Sequence, residues 1–313
     1  REKGSWRNLS NSSGSAERSP VWSPKGNKIA WFSDASGEYE LVIADQYGII
    51  EKNISLDQPT FYFNPQWSPD GNHIAYTDTH YNIWITNVQN GKTKKADTDS
   101  YAHPNRTMNP VWSPDSQWIA YAKQQQSHFK AIFAYNIPNE EIIQITDPLA
   151  DAITPVWDES GEYIYTLAST NYGLTSGWLD MSSFDPATTR SLYAVVLSKN
   201  GKAPKLPESD EEYMEDIAAD KKEKKKEREK KGFDEAEDES KKVNVVIDQD
   251  GIYDRIVAMD LPARNYTALV KAEKGFVFIM ESIENADGMK LHLYDTEKQE
   301  AKEFTDGIQG LQT

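Results

Sequence analysis

Four tryptophans, Trp22, Trp67, Trp112 and Trp157, stand 45 residues apart, and the residues around them repeat too. The second unit reads Asn64-Pro65-Gln66-Trp67-Ser68-Pro69-Asp70-Gly71, followed by Ile74-Ala75-Tyr76. The third reads Asn109-Pro110-Val111-Trp112-Ser113-Pro114-Asp115-Ser116, followed by Ile119-Ala120-Tyr121. The first, around Pro20-Val21-Trp22-Ser23-Pro24, matches closely; the fourth, around Pro155-Val156-Trp157, has drifted. A fixed period of this length marks stacked supersecondary units, none of which can bury its apolar faces alone.

Each unit can be read physically. Pro20, Pro65, Pro110 and Pro155 lie two residues before the Trp. Proline cannot donate to a ladder, so it predicts the beginning of a short strand. Ser-Pro-Asp-Gly is turn chemistry, with Pro pre-setting φ and Gly accepting a positive one. A second strand follows at Ile29–Phe32, Ile74–Tyr76 and Ile119–Tyr121. A third is expected at Glu40–Ala44, Asn82–Thr86 and Ala131–Tyr135, and a fourth at, for example, Glu141–Thr146. Four short antiparallel strands in 45 residues make one blade of an all-β propeller. The repeated Trp is expected to be wedged between adjacent blades.

The remainder is less regular. Trp6–Ser10 resembles the outer strand of a preceding blade. After Trp157 a polar loop, Asn171–Arg190, precedes strand-like Leu192–Leu197. Residues 208–242 then hold 25 charged residues among 35. So few apolar groups cannot offset the entropy of ordering the tract, so it is expected to be a disordered insert outside the blades. A fifth blade is assembled from Val243–Ile247, Ile256–Met259, Asn265–Lys271, Gly275–Met280 and Lys290–Asp295. The expectation is one propeller domain over 1–313 with five legible blades.

Composition narrows the chemistry. The net charge is −16, which argues against a partner held through nucleic-acid phosphates or anionic lipid. Cysteine is absent, which removes thiol nucleophiles and Cys zinc sites. No run of 18 apolar residues exists to span a membrane. The chain opens on Arg1 and reads as a piece of something longer. None of the five histidines has a metal-ligand spacing, and no nucleophile elbow, Walker or dinucleotide glycine pattern occurs. His73 is expected in an exposed turn and His292, between Leu291 and Leu293, on a solvent face. Asp248-Gln249-Asp250-Gly251 reads as a turn, not a calcium loop, because the later ligands are missing. Neither a catalytic residue, a metal ligand nor a cofactor site is predicted.

The axial channel remains. Ser19, Asn64, Asn109 and Thr154, each three residues before the Trp, are small and polar. Arg18, Arg106 and the run Phe61-Tyr62-Phe63 lie nearby. Arg18, Asn64, Arg106, Asn109 and Thr154 are the candidate contacts for an extended peptide; water-tolerant loop residues are the alternative.

Trp-Ser-Pro-Asp-Gly-x-x-Ile-Ala-Tyr resembles the propeller repeat of the TolB, prolyl-oligopeptidase and tricorn peptidase families. Leu206–Glu212, Asp248–Val257 and Leu261–Tyr266 resemble segments of the tricorn protease family in particular. The resemblance implies part of the second, seven-bladed propeller of a tricorn-like serine peptidase. It implies that this segment gates oligopeptides on their way to a catalytic core outside this chain. It also implies contacts with other domains of the parent chain, a homo-hexameric parent and a cytoplasmic location, with the periplasm as alternative. The nucleophile and charge-relay residues of that family match no position here. A TolB-like interaction propeller unconnected with proteolysis is the other reading.

Overall fold

The computed structural model describes residues 8–100, 108–171, 188–204, 243–273 and 275–309. They form five four-stranded antiparallel sheets arranged as propeller blades. Blade 1 comprises β1 (Glu17–Trp22), β2 (Lys28–Ser33), β3 (Glu40–Asp45) and β4 (Ile50–Ser55), in that spatial order. Blade 2 comprises β5 (Tyr62–Trp67), β6 (His73–Asp78), β7 (Asn82–Asn87) and β8 (Thr93–Thr98). Blade 3 comprises β9 (Val111–Trp112), β10 (Trp118–Gln124), β11 (Lys130–Asn136) and β12 (Glu141–Gln144). Blade 4 comprises β13 (Asp151–Trp157), β14 (Tyr163–Ser169), β15 (Ser191–Val196) and β16 (Ile256–Ala258). Blade 5 comprises β17 (Tyr266–Lys271), β18 (Phe276–Ser282), β19 (Met289–Asp295) and β20 (Glu300–Ile308).

In the first three repeats the turn is built by a serine, Ser23, Ser68 or Ser113, whose place Asp158 takes in the fourth. Ser68 is fully buried; its Oγ accepts from the His73 backbone N–H at 2.9 Å and donates to Asp70. Ser113 does the same for Trp118 and Asp115. Gly71 closes the turn at φ 75°, where an L residue is strained, and Ser116 takes that place in the third repeat at φ 62°. Ser116 also reaches across to the second repeat, its Oγ accepting from the Asp70 backbone N–H at 3.0 Å.

The core lies in the seams. Phe32 of blade 1 packs with Tyr62 and Tyr76 of blade 2 at ring separations of 5.4–5.5 Å. Blades 2 and 3 join through Ile83, Ile85, Ile119 and Tyr121, and blades 3 and 4 through Ile132, Ile145, Trp157 and Ile164. Blades 4 and 5 join through Tyr165, Leu167, Leu269, Ile279 and Tyr294. Burying one such side chain stabilises by roughly 1.5–3 kcal/mol, so the blades hold one another in place.

The wedge expectation holds for three of the tryptophans. Trp67 and Trp157 are buried and Trp112 is half-buried. Each donates its indole N–H to the residue just before the Trp of the preceding blade. Trp67 reaches the Val21 carbonyl at 3.2 Å, Trp112 that of Gln66 at 3.1 Å and Trp157 that of Val111 at 3.0 Å. Trp22 differs: it is half exposed, with no preceding blade among the described residues.

The structure corrects the sequence reading in several places. Three of the prolines do not begin their strands, whereas Pro110 stands immediately before β9. β1, β5 and β13 start three or four residues earlier, and Pro20, Pro65 and Pro155 sit where the ladder register shifts. There a missing N–H costs no ladder bond. Val243–Ile247 is not a strand: Val243, Val245 and Ile247 pack on the seam of blades 3 and 4, and the Val245 N–H bonds to Asp115 at 2.8 Å. Ile256–Ala258 closes blade 4 from outside, while blade 5 takes its outer strand from 300–308. Residues 8–10 form no strand; Leu9 packs on Ile29 and Trp31. Asp248–Gly251 is a turn leading into the 3-10 helix Ile252–Arg255. The tract 208–242 and residues 172–187 of the loop Asn171–Arg190 lie outside the described residues.

Candidate functional site

In blades 1 to 4 an unusual backbone residue lies in or just before the inner strand. Ser19, Asn64, Asn109 and Thr154 all adopt the left-handed conformation, at φ 51°, 53°, 45° and 47°. Asn tolerates this region because its short polar side chain bonds locally; a β-branched residue such as Thr154 is strained there. The small polar character of these positions therefore has a conformational cause. Three of them are followed by the register shift that bends the strand. Inner strands meet beside it, β1 with β5, β9 with β13 and β13 with β17.

The candidate peptide contacts fall in two places. Thr154 is committed to the blade seam, its Oγ1 accepting from the Leu269 N–H at 3.1 Å. Asn64 and Asn109 are exposed at equivalent positions of their repeats. Arg106 lies outside the described residues. Arg18, exposed on β1, sits at the seam of blades 1 and 2. Its guanidinium carbon is 5.2 Å from the centroid of the Phe61 ring and 5.9 Å from that of Tyr39. The two rings lie 5.5 Å apart at 51°, so the cation sits in the angle between them. Phe61 and Phe63 are exposed, whereas Tyr62 between them is buried and donates its hydroxyl to the Gln58 carbonyl at 2.6 Å. Burial pushes the Tyr62 phenol above its usual range. The aromatic pair is thus carried on an anchored segment.

A second polar group was missed by the sequence reading. His292 is buried, not solvent-facing, and its Nε2 lies 2.6 Å from Oε2 of Glu281, itself buried. Alternation misled because His292 shares the face of β19 that carries Tyr294, which packs in the seam with blade 4, while Leu291 on the other face is covered as well. Arg264 approaches the same Glu281 oxygen at 3.6 Å, and the Tyr266 ring meets the His292 ring edge-on. Burial, then the Glu281 charge, pushes the Tyr266 phenol up to about 12. Arg264, Tyr266 and His292 border a cleft of about 510 Å³ with Asp260, Gln299 and Lys302. Arg190 backs it, donating to the Tyr266 carbonyl at 3.0 Å and facing Asp151 at 3.5 Å. The only sequence signal was Glu281 continuing the inward series Val277, Ile279.

His73 also departs from expectation. It is half-buried, stacks on Trp112 at 6.2 Å, and burial lowers its pKa. Among the described residues no group of three or more His, Asp or Glu is placed to hold a metal ion. No helix of these residues is long and apolar enough to cross a membrane.

The whole chain, residues 1–313, matches the model of the tricorn protease second beta propeller domain. No curated protein sequence matches it. Among solved structures, the tricorn protease superposes with a TM-score of 0.65 at 14% identity, covering 92% of this chain. This chain spans 26% of that one. A putative TolB from Agrobacterium tumefaciens gives a TM-score of 0.52 at 13% identity, covering 94% of this chain and 82% of its own. Prolyl oligopeptidase B from Galerina marginata gives 0.50 at 13% identity, covering 93% and 36%. These likenesses concern the fold.

Proposed function

Because the chain belongs to the family of the tricorn protease second β-propeller domain, we propose that it guides oligopeptides towards a catalytic core carried outside this segment. The observation that carries this reading is the group of exposed Arg18 and Phe61 with half-buried Tyr39, where the inner strands of blades 1 and 2 begin. An extended peptide offers backbone carbonyls, amides and apolar side chains, which a cation beside these rings and neighbouring Asn64 complement. In this reading residues 1–313 form a single propeller domain, and the parent protein is a cytoplasmic homo-hexameric serine peptidase whose other domains contact this one. Peptide hydrolysis needs an activated nucleophile, its base and an oxyanion site held together. His292, the most buried histidine among the described residues, is engaged by Glu281.

Incubating the chain with fluorogenic tri- and tetrapeptides tests the division of labour. The expected result is no turnover, together with peptide binding in the high-micromolar to millimolar range, worth about 4–6 kcal/mol. Steady turnover that survives repurification and is blocked by a serine-directed inhibitor overturns the reading. Binding of a folded protein partner with no affinity for peptides favours the TolB-like alternative.

A further inference from the structure

We propose that Arg18, held between Tyr39 and Phe61, is a carboxylate-recognition point that selects among the oligopeptides reaching this surface. The inference rests on the peptide-guiding reading and gives it a chemical preference.

Three observations converge. First, the guanidinium carbon stands over both rings, 5.2 Å from the Phe61 centroid and 5.9 Å from that of Tyr39. A cation–π contact engages the charge without using up the N–H donors, which a carboxylate can then bind bidentately. Second, Arg18 forms no ion pair or side-chain hydrogen bond among the described residues. Three carboxylates of the same blade each have one oxygen held by a neutral donor. Glu17 accepts from Ser12 and Ser15, Asp34 from the Ala16 N–H at 2.6 Å, and Glu40 from Ser55 at 2.8 Å. Third, the platform is preorganised. Phe61 is adjacent to Tyr62, which stacks on Phe32 at 5.5 Å and is bonded to Gln58. The register shift between Arg18 and Val21 re-aims the β1 side chains at this point. A fixed cation with one face screened from water binds an anion with less lost side-chain freedom than a mobile surface arginine. The ligand is a carboxylate carried by a peptide, either its C-terminus or an Asp or Glu side chain.

Fluorescence polarisation with labelled hexapeptides separates the two sources. One series compares a free C-terminus with its amide, and the other compares Glu with Gln at an internal position. At least one carboxylate peptide is expected to bind about 5–10-fold more tightly than its neutral twin, the scale of one charge-assisted pair. Arg18→Gln should erase that ratio with an unchanged far-UV spectrum and melting temperature. Phe61→Leu should reduce it while keeping the charge. Equal binding of carboxylate and amide peptides, or a preference that survives Arg18→Gln, overturns the inference and leaves the guiding role standing. If no peptide binds at all, the guiding role fails. The site is then read directly by titrating N-acetylglutamate against the Arg18 Nε–Hε resonance. A shift that N-acetylglutamine does not produce supports carboxylate recognition, and no shift overturns it.

Discussion

The indole N–H of Trp157 donates to the backbone carbonyl of Val111 across the boundary between two blades, at 3.0 Å. Trp112 and Trp67 repeat the contact one and two blades earlier. The repeated tryptophan is therefore both an apolar wedge and a polar latch on the strand behind it.

Substitution should separate the two roles. Trp157→Ala is expected to cost about 3–5 kcal/mol through the cavity it leaves. Trp157→Phe keeps most of the ring but orphans the Val111 carbonyl, which adds about 1 kcal/mol to the loss of packing. Trp22→Ala, at a half-exposed position, should cost within about 1 kcal/mol. Urea titrations of the three variants check the ranking, and an equal cost at Trp22 and Trp157 contradicts it.

The left-handed position gives a backbone test. Asn64→Gly should be nearly neutral, because glycine adopts φ 53° freely. Asn64→Val should cost about 1–2 kcal/mol, since a β-branched residue is strained there. Thermal melts decide it, and equal melting temperatures for Gly and Val would contradict the conformational explanation.

Glu281 and His292 form a buried pair in the seam of blades 4 and 5. Glu281→Ala leaves a buried imidazole without its acceptor and should destabilise by about 2–3 kcal/mol. Glu281→Gln retains an acceptor oxygen and should cost distinctly less. Chemical denaturation of both variants distinguishes a hydrogen-bonding role from mere volume.

Alkaline pH should loosen the same seam. The Tyr266 phenol is raised to about 12 by burial and by Glu281, against about 10 in an unfolded chain. A group whose folded pKa is raised contributes stability that is complete below pH 10 and lost as the pH rises towards 12. Tyr294 and Tyr165 beside it are raised by burial in the same direction. Stability followed by circular dichroism should therefore fall between pH 10 and 12, and Tyr266→Phe should make the fall shallower.

The sequence made the blades legible because the Trp period and the Ser-Pro-Asp-Gly turn are local signals repeated in register. It misassigned the fifth blade where that period breaks. Val243–Ile247 has the composition of a strand, yet the seam of blades 3 and 4 uses it as irregular packing tied to Asp115. Arg18 and Phe61 were legible as neighbours of the inner strands, but their stacking with Tyr39 depends on a blade-to-blade approach that no single repeat encodes. The Glu281–His292 pair was hidden because alternation along β19 assigns its polar residue to the wet face, whereas His292 shares the face of Tyr294 that packs in the seam with blade 4.

The left-handed turn before each Trp also bears on how the protein can change over time. At Ser19, Asn64, Asn109 and Thr154 selection acts on a torsion angle before it can act on any ligand. Exchanges among Asn, Ser and Gly should pass there as drift, whatever the chain carries past them. A shift in peptide preference is therefore more accessible at Arg18, Tyr39 and Phe61, whose identities the backbone leaves open.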